Sequence, residues 1–242
     1  MGMPEIPVIF EDENLLVINK PANLAVHAAR AGSAPTLVDW LLWHYPTLAA
    51  VGESQRLADG TFVPRPGLVH RLDRDTTGVL VVAKNQLTYL ELKEKFKNHE
   101  VEKTYQAIVY GEVKKTHGVI DLPIGRSKKD PRRRVASKNA HGKLRAAITN
   151  YELEEKFKGF SLLKLFPQTG RTHQLRVHLK AIGYPIVADQ LYAPGRSSLP
   201  TITRQALHAA RINFELNHRH YDITAPWPTD LKAALEYLRG LC

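Results

Sequence analysis

His70-Arg71-Leu72-Asp73-Arg74-Asp75 places two guanidiniums, an imidazole and two carboxylates directly before an apolar run, Val79-Leu80-Val81-Val82-Ala83. Bringing such charge toward a core is unfavourable unless the groups pair or do chemistry. Asp73 lies between Arg71 and Arg74. A carboxylate beside guanidiniums stays ionised and is oriented by paired hydrogen bonds. That suits a nucleophile or a base and disfavours a general acid. A salt-bridged turn explains the same residues, because Asp and Thr are ordinary turn formers.

Two further stretches carry candidate chemistry. Lys103-Thr104-Tyr105-Gln106-Ala107-Ile108-Val109-Tyr110-Gly111 alternates in part and reads as a strand closed by glycine. A flat aromatic such as Tyr105 is what a protein uses to stack an unpaired base. In Thr169-Gly170-Arg171-Thr172-His173-Gln174-Leu175-Arg176-Val177-His178, the apolar Leu175, Leu179 and Ile182 share one helical face. Thr169 or Thr172 is expected to cap this helix, with Gly183 closing it. His173, Arg176 and Lys180 then share a second face.

Several chemistries are excluded by what is missing. Neither GxGxxG nor GxxxxGK[ST] occurs, and there is no HExxH or GxSxG. His173 and His178 fall on different helical faces with few carboxylates nearby, so no metal is expected. Cys242 is the only cysteine, which allows no intrachain disulfide. No apolar run reaches about 18 residues, and the N-terminus Met1-Gly2-Met3-Pro4-Glu5 lacks a signal-peptide layout. A cytoplasmic location with no membrane partner is expected by elimination.

Charge points to a polyanion. Lys and Arg number 34 against 24 Asp and Glu, a formal +10. Nine cations crowd residues 126–145: Arg126, Lys128, Lys129, Arg132, Arg133, Arg134, Lys138, Lys143 and Arg145, opposed only by Asp130. One reading is a solvated flexible loop. The other is a set of phosphate contacts, which position a nucleic acid without reading its sequence.

The elements that must hold these residues follow from periodicity. Residues 7–10 and 15–19 predict a hairpin across Glu11-Asp12-Glu13-Asn14, ended by Lys20-Pro21. Thr36 predicts a cap for a helix with Leu37, Trp40, Leu41 and His44 on one face, and residues 52–66 predict a loop. Asn85 caps a second helix whose expected apolar face is Leu87, Leu90, Leu92 and Phe96. Further strands are expected at 118–124, 146–153, 160–166, 205–214 and 221–224, with a polar turn at 154–159 and a last helix at 229–239. Short strands without regular βαβ alternation predict one α+β domain over 1–242, built on a mixed, largely antiparallel β-sheet.

The three stretches together resemble the RluA-type RNA pseudouridine synthases. His70–Gly78 is similar to their HRLDxxTSG signature, with Thr77 for the usual serine. Lys103–Gly111 is similar to KxYxAxVxG, and Thr169–His178 to TGRTHQ[IL]RVH. Asn19-Lys20-Pro21 with Val26-His27 resembles the opening NKPxGxxVH, with Asn23 at the usual glycine and Ala28 where proline is common. The resemblance runs from about residue 8 to 227, in the expected order.

This resemblance implies an isomerase that converts uridine to pseudouridine in ribosomal RNA (23S-type) or transfer RNA. It needs no cofactor and flips the target base. By the same resemblance, Asp73 is the catalytic nucleophile or proton relay, Tyr105 packs on the uracil, and Arg176 pairs with Asp73. Arg71 helps displace the flipped nucleotide. His70, Arg171, Lys103, Arg132, Arg133 and Arg134 are carried as candidates for RNA contact, although His70, His173 and His178 fit structural roles better. Only 19 residues precede Lys20, so a stand-alone catalytic domain without an S4 domain, and a monomer, are expected.

Overall fold

The computed structural model describes residues 5–27, 35–56, 60, 62–137 and 140–241. Met1-Gly2-Met3-Pro4, Ala28, Lys138, Cys242 and part of the expected 52–66 loop lie outside the described residues.

The chain opens with the expected hairpin, β1 (Val8–Glu11) and β2 (Leu15–Lys20). The Asp12 carboxylate shapes its turn by accepting from the amides of Asn14 (2.9 Å) and Leu15 (2.7 Å). Helix α1 (Leu37–His44) starts at a reciprocal capping box between Thr36 and Asp39. A 3-10 turn, Pro46–Ala50, follows. Part of the expected 52–66 loop is a small ribbon, β3 (Gln55–Arg56) with β4 (Phe62–Val63).

Strand β5 (Thr77–Ala83) is buried at every position and pairs antiparallel with β2. Asn85 caps α2 (Gln86–Lys97) as expected, accepting from the Thr88 amide at 2.9 Å. The buried face of α2 differs from the expected one. Thr88, Tyr89 and Leu92 are buried, whereas Leu87 and Leu90 are 81% and 46% exposed. Thr88, Leu92 and Phe96 follow a four-residue spacing, and 100° per residue then turns Leu87 and Leu90 to solvent.

Next come β6 (Glu102–Tyr110) and β7 (His117–Asp121). The basic stretch is not one flexible loop. It folds into β8 (Ile124–Arg126), β9 (Arg134–Ala136) and β10 (His141–Arg145), a three-stranded antiparallel sheet in the order β10-β8-β9. The hairpin of β11 (Ile148–Phe157) and β12 (Phe160–Pro167) is longer than expected. Its turn shrinks to Lys158-Gly159, with Gly159 at φ +77°. The charges in 154–156 belong to the strand: Glu154 pairs with Lys164 on β12 and Glu155 with Arg239. Helix α3 (Gln174–Ala181), the hairpin of β13 (Leu207–Leu216) and β14 (Arg219–Thr224), and α4 (Thr229–Arg239) complete the chain.

The chain divides into two compact units. The first comprises Met1–Val101 with Arg211–Pro226, the second Glu102–Ala210 with Trp227–Cys242. In the first, β1-β2-β5 forms an antiparallel ladder and α2 packs against β5. In the second, β6-β12-β11-β7 forms an antiparallel ladder. Leu163, Leu165, Ile108, Val187, Leu179 and Leu235 lie in the core of this second unit. The class is the expected α+β with a mixed, largely antiparallel sheet. Among the described residues, no helix is long and apolar enough to cross a membrane.

Candidate active site

In the first unit, the buried strand β5 sets the position of the charged turn that precedes it. Leu72 and Thr76 are buried and pin the two ends. The Thr76 amide donates to the Asp73 carbonyl at 3.1 Å, closing a turn across Asp73-Arg74-Asp75-Thr76. Asp73 itself is half-buried and Arg71 is exposed. His70 works inward. Its Nε2 accepts from the Val81 amide at 2.9 Å, and its ring stacks on Phe96 at 4.8 Å between centroids.

Beneath this turn lies a residue to which the sequence reading gave no role, Lys20. Its side chain is 0% exposed, and Nζ donates to the carbonyls of Pro21 (2.7 Å), Leu24 (2.9 Å) and Arg74 (2.9 Å). A buried ammonium is stable only when so solvated by the protein. The bond to Arg74 ties the 20–24 loop to the backbone next to Asp73. A lysine ending an otherwise buried strand, followed by proline, was the available signal.

His27, in the same unit, is held neutral. Burial first, and then the positive charges of Arg65 and Arg71, pull its pKa from 6.5 to about 4.

In the second unit, Tyr105 lies on β6 opposite Leu165 and packs half-exposed against the core. Lys103 is two residues earlier, and burial lowers its pKa below the ordinary lysine range. Neither Thr169 nor Thr172 caps α3. Its N-cap is His173, in the left-handed region at φ 58°. No side chain caps α3; Gln174 instead ties down the preceding turn, its Oε1 accepting from Thr169 Oγ1 (2.7 Å) and the Arg171 amide (3.0 Å). Arg171 also donates from Nε to the Ala146 carbonyl at 3.1 Å.

Arg176, on the first turn of α3, is only 7% exposed. Nε and Nη2 grip the fully buried Asp189 carboxylate at 2.7 and 2.9 Å, a bidentate pair. Asp189 was not anticipated. It stands alone after the apolar Pro185-Ile186-Val187-Ala188, and an isolated acid there was the signal. The second face of the helix is as expected: the Arg176 guanidinium and the Lys180 ammonium both lie over the Tyr192 ring, and His173 Nδ1 meets its hydroxyl. His178 is structural, as expected. Its Nδ1 lies 3.0 Å from Thr149 Oγ1, its Nε2 donates to the Leu122 carbonyl, and burial lowers its pKa.

The basic sheet brings Arg132, Arg133 and Arg134 to the β8–β9 turn. Asp130 accepts from Arg132 Nε (3.1 Å) and Nη2 (2.9 Å) and lies 3.5 Å from Arg133. Arg126, Lys128, Lys129, Lys143 and Arg145 are exposed.

Over 96% of its length the chain superposes with a TM-score of 0.74 on human RNA pseudouridylate synthase domain containing 4, at 26% identity, covering 93% of that chain. A second human structure, RNA pseudouridylate synthase domain containing 1, gives the same score at 24% identity and shares the fold. Residues 14–181 match the family described as RNA pseudouridylate synthase, and the chain belongs to that family as an RNA pseudouridine synthase. It is 35% identical over 237 residues to an uncharacterised RNA pseudouridine synthase of Bacillus subtilis, covering 97% of this chain and 73% of that protein. It is 37% identical over 249 residues to the ribosomal large subunit pseudouridine synthase D of Pseudomonas aeruginosa, covering 98% and 72%.

Proposed function

We propose that the chain isomerises uridines of large-subunit ribosomal RNA. The observation that carries the substrate is the similarity to relatives named for the large ribosomal subunit, at 37% and 38% identity over 98% of this chain. Asp73 serves as nucleophile or proton relay and Tyr105 as the surface on which the uracil packs. Arg176 serves as the third catalytic residue, and exposed Arg71 helps displace the nucleotide. His70 braces the loop from inside. Extracting a base from its stack takes a few kcal/mol, which packing on Tyr105 and phosphate contacts offset. No redox step and no cofactor enter the chemistry.

The basic sheet β8–β10, with Lys103 and Arg171, supplies phosphate contacts. For the sheet the support is charge and exposure: cations on a folded sheet present a fixed array, which a polyanion meets at less entropic expense than a loose tail. For Lys103 and Arg171, both half-buried, the support is charge alone.

The test is to map pseudouridines by chemical labelling and primer extension in cells carrying the native chain or Asp73→Asn. Loss of one or more large-subunit sites is expected. Loss confined to transfer RNA overturns the substrate assignment.

A further inference from the structure

Tyr192 stands where three parts of the second unit meet. Its hydroxyl oxygen accepts from the Arg134 amide at 2.8 Å, at the start of β9 in the basic sheet. The same hydroxyl lies 3.0 Å from His173 Nδ1, the residue that opens α3. Its ring lies under the Arg176 guanidinium, 5.1 Å from centroid to Cζ. Its amide donates at 3.0 Å to Asp189 Oδ1, the oxygen that accepts from Arg176 Nη2. Tyr192 is buried.

This network holds two residues in unfavourable backbone conformations. His173 and Ala188 both have positive φ, at 58° and 56°, which non-glycine residues adopt only when their surroundings impose it. His173 is itself a partner in the network and leads into the helix that carries Arg176, and Ala188 directly precedes Asp189. A phenylalanine at 192 would fill the same core volume and keep the ring under Arg176. The hydroxyl is what reaches both β9 and His173, and a buried hydroxyl is tolerated only through such bonds.

We propose that Tyr192 is a positioning residue that couples the basic sheet to Arg176, so that RNA held on the sheet steadies the guanidinium. It rests on the reading of that sheet as an RNA contact. A displacement of β9 moves the Arg134 amide and therefore the hydroxyl. The hydroxyl carries the ring beneath Arg176 and the turn from which α3 begins. RNA phosphates that fix the β8–β9 turn thereby fix the start of α3. The linkage is reciprocal in binding, and its kinetic face is the rate at saturating RNA.

The test compares four proteins on one ribosomal RNA fragment: native, Tyr192→Phe, the combined Arg132→Gln, Arg133→Gln, Arg134→Gln variant, and all four changes together. RNA affinity, its salt dependence and the isomerisation rate at saturating RNA are measured separately, with thermal melts as the folding control. Tyr192→Phe is expected to lower the saturating rate about tenfold and leave affinity within about twofold. The arginine variant is expected to weaken binding and lower the rate, and the combined variant to be no slower than Tyr192→Phe alone. If Tyr192→Phe does not fold, His173→Gly, which accepts the same φ without strain and removes one partner of the hydroxyl, takes its place with the same expected rate loss. An unchanged rate in the single variant, or rate losses that multiply, overturns the coupling while weakened binding leaves the RNA contact standing. Unchanged affinity and salt slope in the arginine variant overturn the RNA contact, and the coupling with it.

Discussion

The Asp73 turn and the start of α3 hold opposite charges by opposite means. Asp73 sits half-buried on a backbone turn, and the buried charge beneath it is Lys20, which grips carbonyls, the Arg74 carbonyl among them. Arg176 is itself the buried charge, and it is gripped by a carboxylate, Asp189, and an aromatic ring. In the first unit the backbone is fixed and the Asp73 side chain is left half-buried at its rim. In the second the side chain is fixed. The difference teaches that a charge can be held in two ways: by a fixed backbone that leaves the carboxylate half-exposed, or by a buried grip on the side chain itself.

This contrast orders the expected stability losses. Arg176→Met leaves Asp189 charged and buried without its partner, and should cost about 3–5 kcal/mol in urea unfolding. A loss below about 1 kcal/mol would show that Asp189 is hydrated after all. Lys20→Met leaves carbonyls without a donor and should cost about 3 kcal/mol. The same variant should slow isomerisation, because the Arg74 carbonyl is released next to Asp73. Native activity in a destabilised Lys20→Met protein would separate the lysine from the turn.

The pH dependence comes next in size. His27 has a folded pKa of about 4 against 6.5 for the free side chain, and that of His178 is also lowered. The unfolded chain therefore binds protons that the folded chain refuses. Stability is flat above about pH 6.5 and falls as pH drops from there toward about 4, with His27 contributing roughly 2–3 kcal/mol. His27→Gln should flatten that slope. A slope unchanged by the substitution would assign the whole effect to His178 and the carboxylates.

Much of this was legible in the chain. The hairpin at Asp12, the caps at Thr36 and Asn85, the buried β5 and the final helix were all signalled by local residues. The apolar face of α2 misled because Leu87 and Leu90 are apolar yet point outward, while Thr88 and Tyr89 are buried by tertiary packing. The 154–156 charges resembled a turn because nothing local announces that Lys164 and Arg239 will neutralise them. The motifs bearing Asp73, Tyr105 and Arg176 could be named from their residues. The bonds of their supports could not: Lys20 stood out at the end of a buried strand, yet its bond to the Arg74 carbonyl, like that of the Arg134 amide to Tyr192, spans a separation that no local pattern encodes.

The central claim is that Asp73 performs the chemistry and does not merely bind. The most direct measurement is single-turnover isomerisation of a uridine-containing ribosomal RNA fragment by Asp73→Asn at saturating enzyme, with affinity measured alongside. The expected result is a rate lower by about 10²–10⁴-fold or more, with RNA affinity retained. Isomerisation at the native rate would contradict it.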